Sequence, residues 1–335
     1  MTCKERVKKA INREETDIIP YTVDMFIDIK EKLAKYYNDS DFENKIENHL
    51  LFVSASGFPK ECEVEPGIFQ DNFGVRWDRR IDRGCGVVCG TLVNEDNFND
   101  FEFPNPNDEN LYAHLKNTID INSDKFIVAA IGLSYFERSW SLYGMENILM
   151  DMVSNEKFLF KMYDRILDYN LRLIENYLKY DIDCVHINDD YGQQTGLIMG
   201  APLWRKFFKP GLKLMAEKIK SKDKFVYLHS CGNITEIIPD LIEIGVDIIN
   251  PLQPEVMDVY ALKEKYGKNI CFHGGISEQK TLNFGTPDDV EREMRDKIKK
   301  LGKGGGYILA PSQGMTANIP AENAARFIHV AVSQL

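Results

Sequence analysis

No stretch of the 335-residue chain approaches the roughly 20 consecutive apolar residues that a membrane-spanning helix needs. The opening M-T-C-K-E-R-V-K-K-A reads as a charged helix start, not as a signal peptide. Cysteine is sparse, odd in number at seven, and scattered, which fits a reducing cytoplasm better than a disulfide framework. Positive charge is in deficit: 41 Lys and Arg against 52 Asp and Glu leave a net charge of -11. That balance opposes binding to nucleic acid or to an anionic membrane. Low-complexity tracts and repeats at 20–50 residues are lacking too. A glycine-rich phosphate loop is also missing after the first candidate strand, where Asp24-Met25-Phe26 stands. A doubly wound nucleotide-binding sheet loses its main support by that absence.

What is present is a rhythm. Hydrophobic residues at 44% and aromatics at 11% suffice for a large core. Short apolar runs at 18–23, 51–54, 126–132, 184–188, 225–229, 247–250, 270–273 and 307–310 predict buried strands. Helical spacing fills 155–179 and 202–220. Thr286-Pro287-Asp288-Asp289 is a helix start, with a threonine cap, a proline in the first turn and acids facing the positive end of the dipole. A last helix begins near Pro320. Strand then helix, about eight times, predicts an α/β fold of the (β/α)8 TIM-barrel type, with residues 1–335 as one domain. Residues 56–105 break the rhythm and read as a β-hairpin insertion, a lid or a homodimer contact.

In such a barrel the chemistry sits at the C-terminal ends of the strands. The stretch L-H-S-C-G-N at 228–233 closes one of them, and alternation aims His229 and Cys231 to the same side. An imidazole and a thiolate together suit zinc, and a catalytic zinc needs three protein ligands and an open place. His273 is the best third ligand by residue type, with Asp190, Gln313 and Glu255 as alternatives. Asp189 and Asp190 are the candidates for general acid–base work. The other polar strand-end residues, Asp24, Tyr191, Gln193, Gln253 and Gln313, are candidates for binding substrate. A single histidine at a strand end is usually only a rim residue, so the weight lies on the convergence.

Several blocks together resemble the uroporphyrinogen decarboxylase superfamily, over nearly the whole chain. They are T-C-K-E-R-V-K-K-A-I-N-R-E-E-T-D-I-I-P, Y-G-M-E-N-I-L-M-D-M, the N-D-D-Y-G-Q-Q-T-G-L-I-M-G-A-P-L-W-R-K-F block from Asn188, L-H-S-C-G-N, C-F-H-G-G-I-S-E-Q-K-T-L and G-G-G-Y-I-L-A-P-S. The decarboxylase itself has an arginine-rich segment after its first strand, whereas here Pro20 is followed by Y-T-V-D-M-F-I-D-I-K. H-x-C is similar to the cobalamin-dependent methyltransferase branch. That resemblance implies zinc as a Lewis acid acting opposite a corrinoid. In that branch a cysteine after the last strand is the third ligand, and here Gln313 stands in its place. Fewer thiolates make a harder metal, better matched to an oxygen-bearing substrate such as a methyl ether than to a thiol.

The expected function is therefore methyl transfer between a small methyl donor or acceptor (methyl ether, thiol or amine) and a corrinoid. The chain has no D-x-H-x-x-G corrinoid motif, so the cofactor is expected on a separate corrinoid protein. The alternative is a metal-free decarboxylase acting on a tetrapyrrole, which would need cations at the mouth. Arg76, Arg79, Arg80 and Arg83 are the available cluster.

Overall fold

Seven short runs rich in Val, Ile, Leu and Phe pair side by side, all parallel, in the order of the chain. They are β1 (Leu50–Val53), β2 (Phe126–Ile131), β3 (Cys184–Asn188), β4 (Phe225–His229), β5 (Ile248–Leu252), β6 (Cys271–Ile276) and β7 (Tyr307–Pro311). Continuous apolar runs suit parallel strands because helices cover the outer face and packed side chains the inner one. This arrangement comes from a computed structural model, which describes residues 1–55, 62–81, 83–84 and 86–334.

The ring closes through the segment around Tyr21. The Leu309 amide donates to the Pro20 carbonyl at 2.8 Å and the Thr22 amide to the Leu309 carbonyl at 3.0 Å. On the other side the His49 amide donates to the Tyr21 carbonyl at 3.1 Å. The run predicted at 18–23 thus occupies the eighth place in the barrel, but it makes bridges and not a full ladder. Pro20 has no N–H to give, and a strand without that donor pairs only in part. Side chains complete the closure: the Tyr21 amide donates to His49 Nδ1 at 2.9 Å, and the Val23 amide to Asn48 Oδ1 at 2.7 Å.

The barrel interior is packed, not open. Leu50, Phe126, Val128, Cys184, Tyr227, Ile248, Cys271 and Ile308 fill it, and Val7 and Ile11 of the Cys3–Ile11 helix plug its lower end. Burial there pushes the Cys271 thiol up to about 12 and leaves it inert. Outside, the amphipathic Glu156–Tyr177 helix buries Phe158, Met162, Ile166 and Leu173, and Thr286 closes a capping box on Pro287–Leu301. The helix predicted over 202–220 is in fact two, Ala201–Phe207 and Lys209–Lys220. Pro210 lacks the amide hydrogen that would carry one helix through Phe208.

The insertion departs from the expected hairpin. Its described part is a four-stranded antiparallel meander of Cys62–Glu65, Ile68–Gln70, Arg76–Asp78 and Val87–Val88. Phe73, Val75 and Trp77 bury themselves in the main core, and Asp71 forms a buried ion pair of 2.9 Å with Arg138. Cys85 lies outside the described residues. No described helix is long and apolar enough to cross a membrane.

Candidate metal centre

β4 delivers the site. His229 lies in register with Asn188 of β3 on one side and Asn250 of β5 on the other. Its Nδ1 is 2.5 Å from Asn250 Oδ1. The sense of that amide is set by its other end, because Asn250 Nδ2 donates to the His273 carbonyl at 3.3 Å. Oδ1 therefore accepts, Nδ1 carries the imidazole proton, and Nε2 presents a lone pair. That lone pair is 3.5 Å from Cys231 Sγ and 3.6 Å from Asp190 Oδ1. The three ligand atoms all fall within 4.8 Å of one another.

These separations can be tested against zinc. Bond lengths of about 2.0–2.3 Å at tetrahedral angles put ligand atoms roughly 3.3–3.6 Å apart. Nitrogen, sulfur and carboxylate oxygen are all zinc donors, and a second group holding the far nitrogen of a ligating histidine is the usual support. The residues fit the ion.

Two loops hold the triad by close backbone contact. The Cys231 amide donates to Asp190 Oδ1 at 2.7 Å, the Asp189 amide to the His229 carbonyl at 3.0 Å, and the Asn233 amide to the Gln193 carbonyl at 2.8 Å. Gly232 has φ +81°, and a Cβ there would stand 2.3 Å from the backbone of Gly192. Only glycines allow the loops after β3 and β4 to approach this closely.

The other candidates are distributed differently. His273 is not with the triad. Its Nδ1 meets the Tyr227 hydroxyl at 2.5 Å and its Nε2 the Thr22 hydroxyl at 2.8 Å, wholly buried one layer below the mouth. Burial holds its pKa down at about 3. Asp190, expected first as an acid–base residue and only as an alternative to His273 beside the pair, is the group that stands with His229 and Cys231. Glu255 is engaged elsewhere, accepting from the Ser277 hydroxyl at 2.6 Å. Asp189, expected to be catalytic, is fully buried and accepts from the Glu137 amide at 2.7 Å, the Phe136 amide at 2.9 Å and the Tyr191 hydroxyl at 2.5 Å. It caps the Phe136–Tyr143 helix and does not face the mouth, and Tyr191 is buried with it. Gln253 accepts from the Gly232 amide at 3.0 Å and so supports the loop that carries Cys231. Gln193 is exposed, with its carbonyl in the loop contact. Gln313 lines a cleft of about 400 Å³ with Phe26, Arg83 and Thr316. Asp24 stands at the mouth, within electrostatic reach of His229.

Glu137 was not singled out in the sequence. Its Oε2 accepts from Asn188 Nδ2 at 2.7 Å. Burial, reinforced by the charges of Asp190 and Asp189, pushes its carboxyl well above the usual range. Its only signal was a polar residue just beyond a strand end, in S-Y-F-E-R.

Comparison with known proteins agrees with this architecture. Residues 73–333 match the family described as Uroporphyrinogen decarboxylase (URO-D). The chain belongs to that family. Methylcobamide:CoM methyltransferase MtbA of Methanosarcina acetivorans is 23% identical to it over 359 residues, covering 98% of this chain and 97% of the relative. MtbA of Methanosarcina mazei is 23% identical over 181 residues, covering 54% and 51%. A solved methyltransferase from Methanosarcina mazei superposes with a TM-score of 0.74 at 16% identity, over 100% of this chain and 99% of that one. This member of the uroporphyrinogen decarboxylase family therefore shares the barrel fold of that methyltransferase.

Proposed function

We propose that the protein is a zinc-dependent methyltransferase that moves a methyl group between a small substrate and a corrinoid carried by a separate protein. The observation that carries this reading is the converging triad of Asp190, His229 and Cys231 at the C-terminal end of the barrel. The full-length likeness to methylcobamide:CoM methyltransferases supports it. When bound, zinc would act as a Lewis acid on the substrate heteroatom, making its methyl group a better electrophile.

The chain's own groups have distinct tasks in this reading. His229, Cys231 and Asp190 hold the ion, and Asn250 fixes the tautomer that lets His229 do so. Asp190 is thus a ligand and not an acid–base residue. Glu137, hydrogen-bonded to Asn188 beside Asp190 and with its carboxyl pushed toward the protonated form, is placed to offer a proton to the heteroatom from which the methyl departs. One thiolate and one carboxylate make a harder site than two thiolates would, which favours an oxygen- or nitrogen-bearing methyl donor. The rival decarboxylase would need free cations to grip a polycarboxylate. Arg76, Arg80 and Arg83 instead pair with Glu65, Asp78 and Asp28.

Elemental analysis of protein purified without chelators should find about one zinc per chain. The His229→Ala, Cys231→Ala double variant should retain its circular dichroism and lose the metal. Wild-type protein free of zinc would overturn the proposal.

A further inference from the structure

Asp24 is the mouth carboxylate that the triad does not use. It follows the closing segment, and its main chain is tied down by the Met315 amide, which donates to the Asp24 carbonyl at 2.8 Å. Its side chain is nearly unengaged. Among the described residues its one side-chain hydrogen bond is the long one that the Thr22 hydroxyl donates at 3.4 Å, a hydroxyl that also meets His273 Nε2 at 2.8 Å. No lysine or arginine among the described residues pairs with it. Lys30, whose charge reaches it, is held by Glu43 at 2.7 Å. The residue is exposed, yet the surrounding walls desolvate its carboxyl and push its pKa up. A carboxylate so placed gains more from a bound cation than one on an open surface.

The other carboxyls of the mouth add no positive charge. Asp190 and Glu137 lie on the β2–β3 side, away from the closing segment. The nearest arginine in sequence, Arg138, turns away into the insertion and pairs with Asp71. A substrate bearing a sulfonate or carboxylate would find no counter-charge on these groups.

We propose that Asp24 is the counter-charge for a substrate ammonium, so that the molecule bound in the mouth carries an amine as well as the heteroatom that meets the metal. This rests on the methyltransferase reading and names its substrate class. Asp24 would be a specificity residue, binding the end of the molecule that does not react.

Three thiols with the same two-carbon spacing test it: cysteamine, with an ammonium tail; 2-mercaptoethanol, neutral; and 2-mercaptoethanesulfonate, anionic. Titration calorimetry on the purified protein should find cysteamine binding about tenfold or more tighter than mercaptoethanol, with the sulfonate weakest. Asp24→Asn should bring cysteamine down to the level of mercaptoethanol and leave mercaptoethanol unchanged, while Asp24→Glu should keep a preference for the ammonium. Zinc-loaded protein that shows no order among the three, or that favours the sulfonate, overturns this inference and leaves the metal reading standing. Protein without zinc in which the ammonium still wins through Asp24 does the reverse. Binding of none of the three to zinc-loaded protein overturns this inference and leaves the metal reading standing.

Discussion

Asn250 decides what His229 can do. Because its amide is oriented by the His273 carbonyl, the imidazole is held with its lone pair on Nε2, between sulfur and carboxylate. Asn250→Leu should therefore weaken zinc binding by about 10- to 100-fold, measured by competition with a chelator, while the fold stays intact. His229 and Cys231 were legible because strand alternation is a local rule that the chain carries on its face. The third ligand was not. His273 has the better residue type, but its depth along β6 places both ring nitrogens against Tyr227 and Thr22. Asp189 and Asp190 are adjacent in sequence, yet one is consumed by helix amides and the other reaches the imidazole and the thiol. Neither difference has a local sequence signature.

Two elements make the mouth, and each has its own failure mode. The closing segment hangs on two histidines that burial keeps neutral, His49 at a pKa of about 4 and His273 at about 3. An unfolded histidine titrates near 6.5, so between that value and about 4 the unfolded chain binds protons that the folded one refuses. Stability should therefore fall as pH drops through this window, with His49 contributing at most about 3 kcal/mol at 1.36 kcal/mol per pKa unit. Urea melts at pH 7, 5.5 and 4.5 check the sign, and His49→Gln should flatten the slope. The paired loops fail differently. Gly232→Ala adds a Cβ to a positive-φ residue lying on the Gly192 backbone, and should cost about 1–3 kcal/mol together with zinc. Calorimetric Tm and metal content measured on the same sample report both. The rhythm of strands was readable in the sequence, since most predicted runs match observed strands within a few residues. The partial pairing of the Tyr21 segment and the break at Phe208 were not, although Pro20 and Pro210 are the cause of each.

At the scale of the whole molecule, the insertion is fastened to the barrel. Arg138 rises from the helix after β2, stacks at 4.0 Å over Phe73 and pairs with Asp71, both charges buried. Removing one partner leaves the other charged and dry. Asp71→Asn keeps the turn's acceptor for the Phe73 and Val75 amides but should cost about 3 kcal/mol. That corresponds to a Tm lower by about 5 °C, with faster proteolysis in the meander. The insertion was visible in the sequence as an interruption, without its four strands or its anchor. An ion pair spanning 67 residues is a fact of packing. The sequence by itself determined the barrel, the family and the imidazole–thiolate pair, because hydrophobic period and strand alternation act over a few residues. Only the tertiary structure decided which acid joins that pair, which histidine is buried beneath it and which mouth carboxylate pairs with no cation among the described residues. Those outcomes depend on depth and register between strands far apart in the chain, where no local pattern reaches.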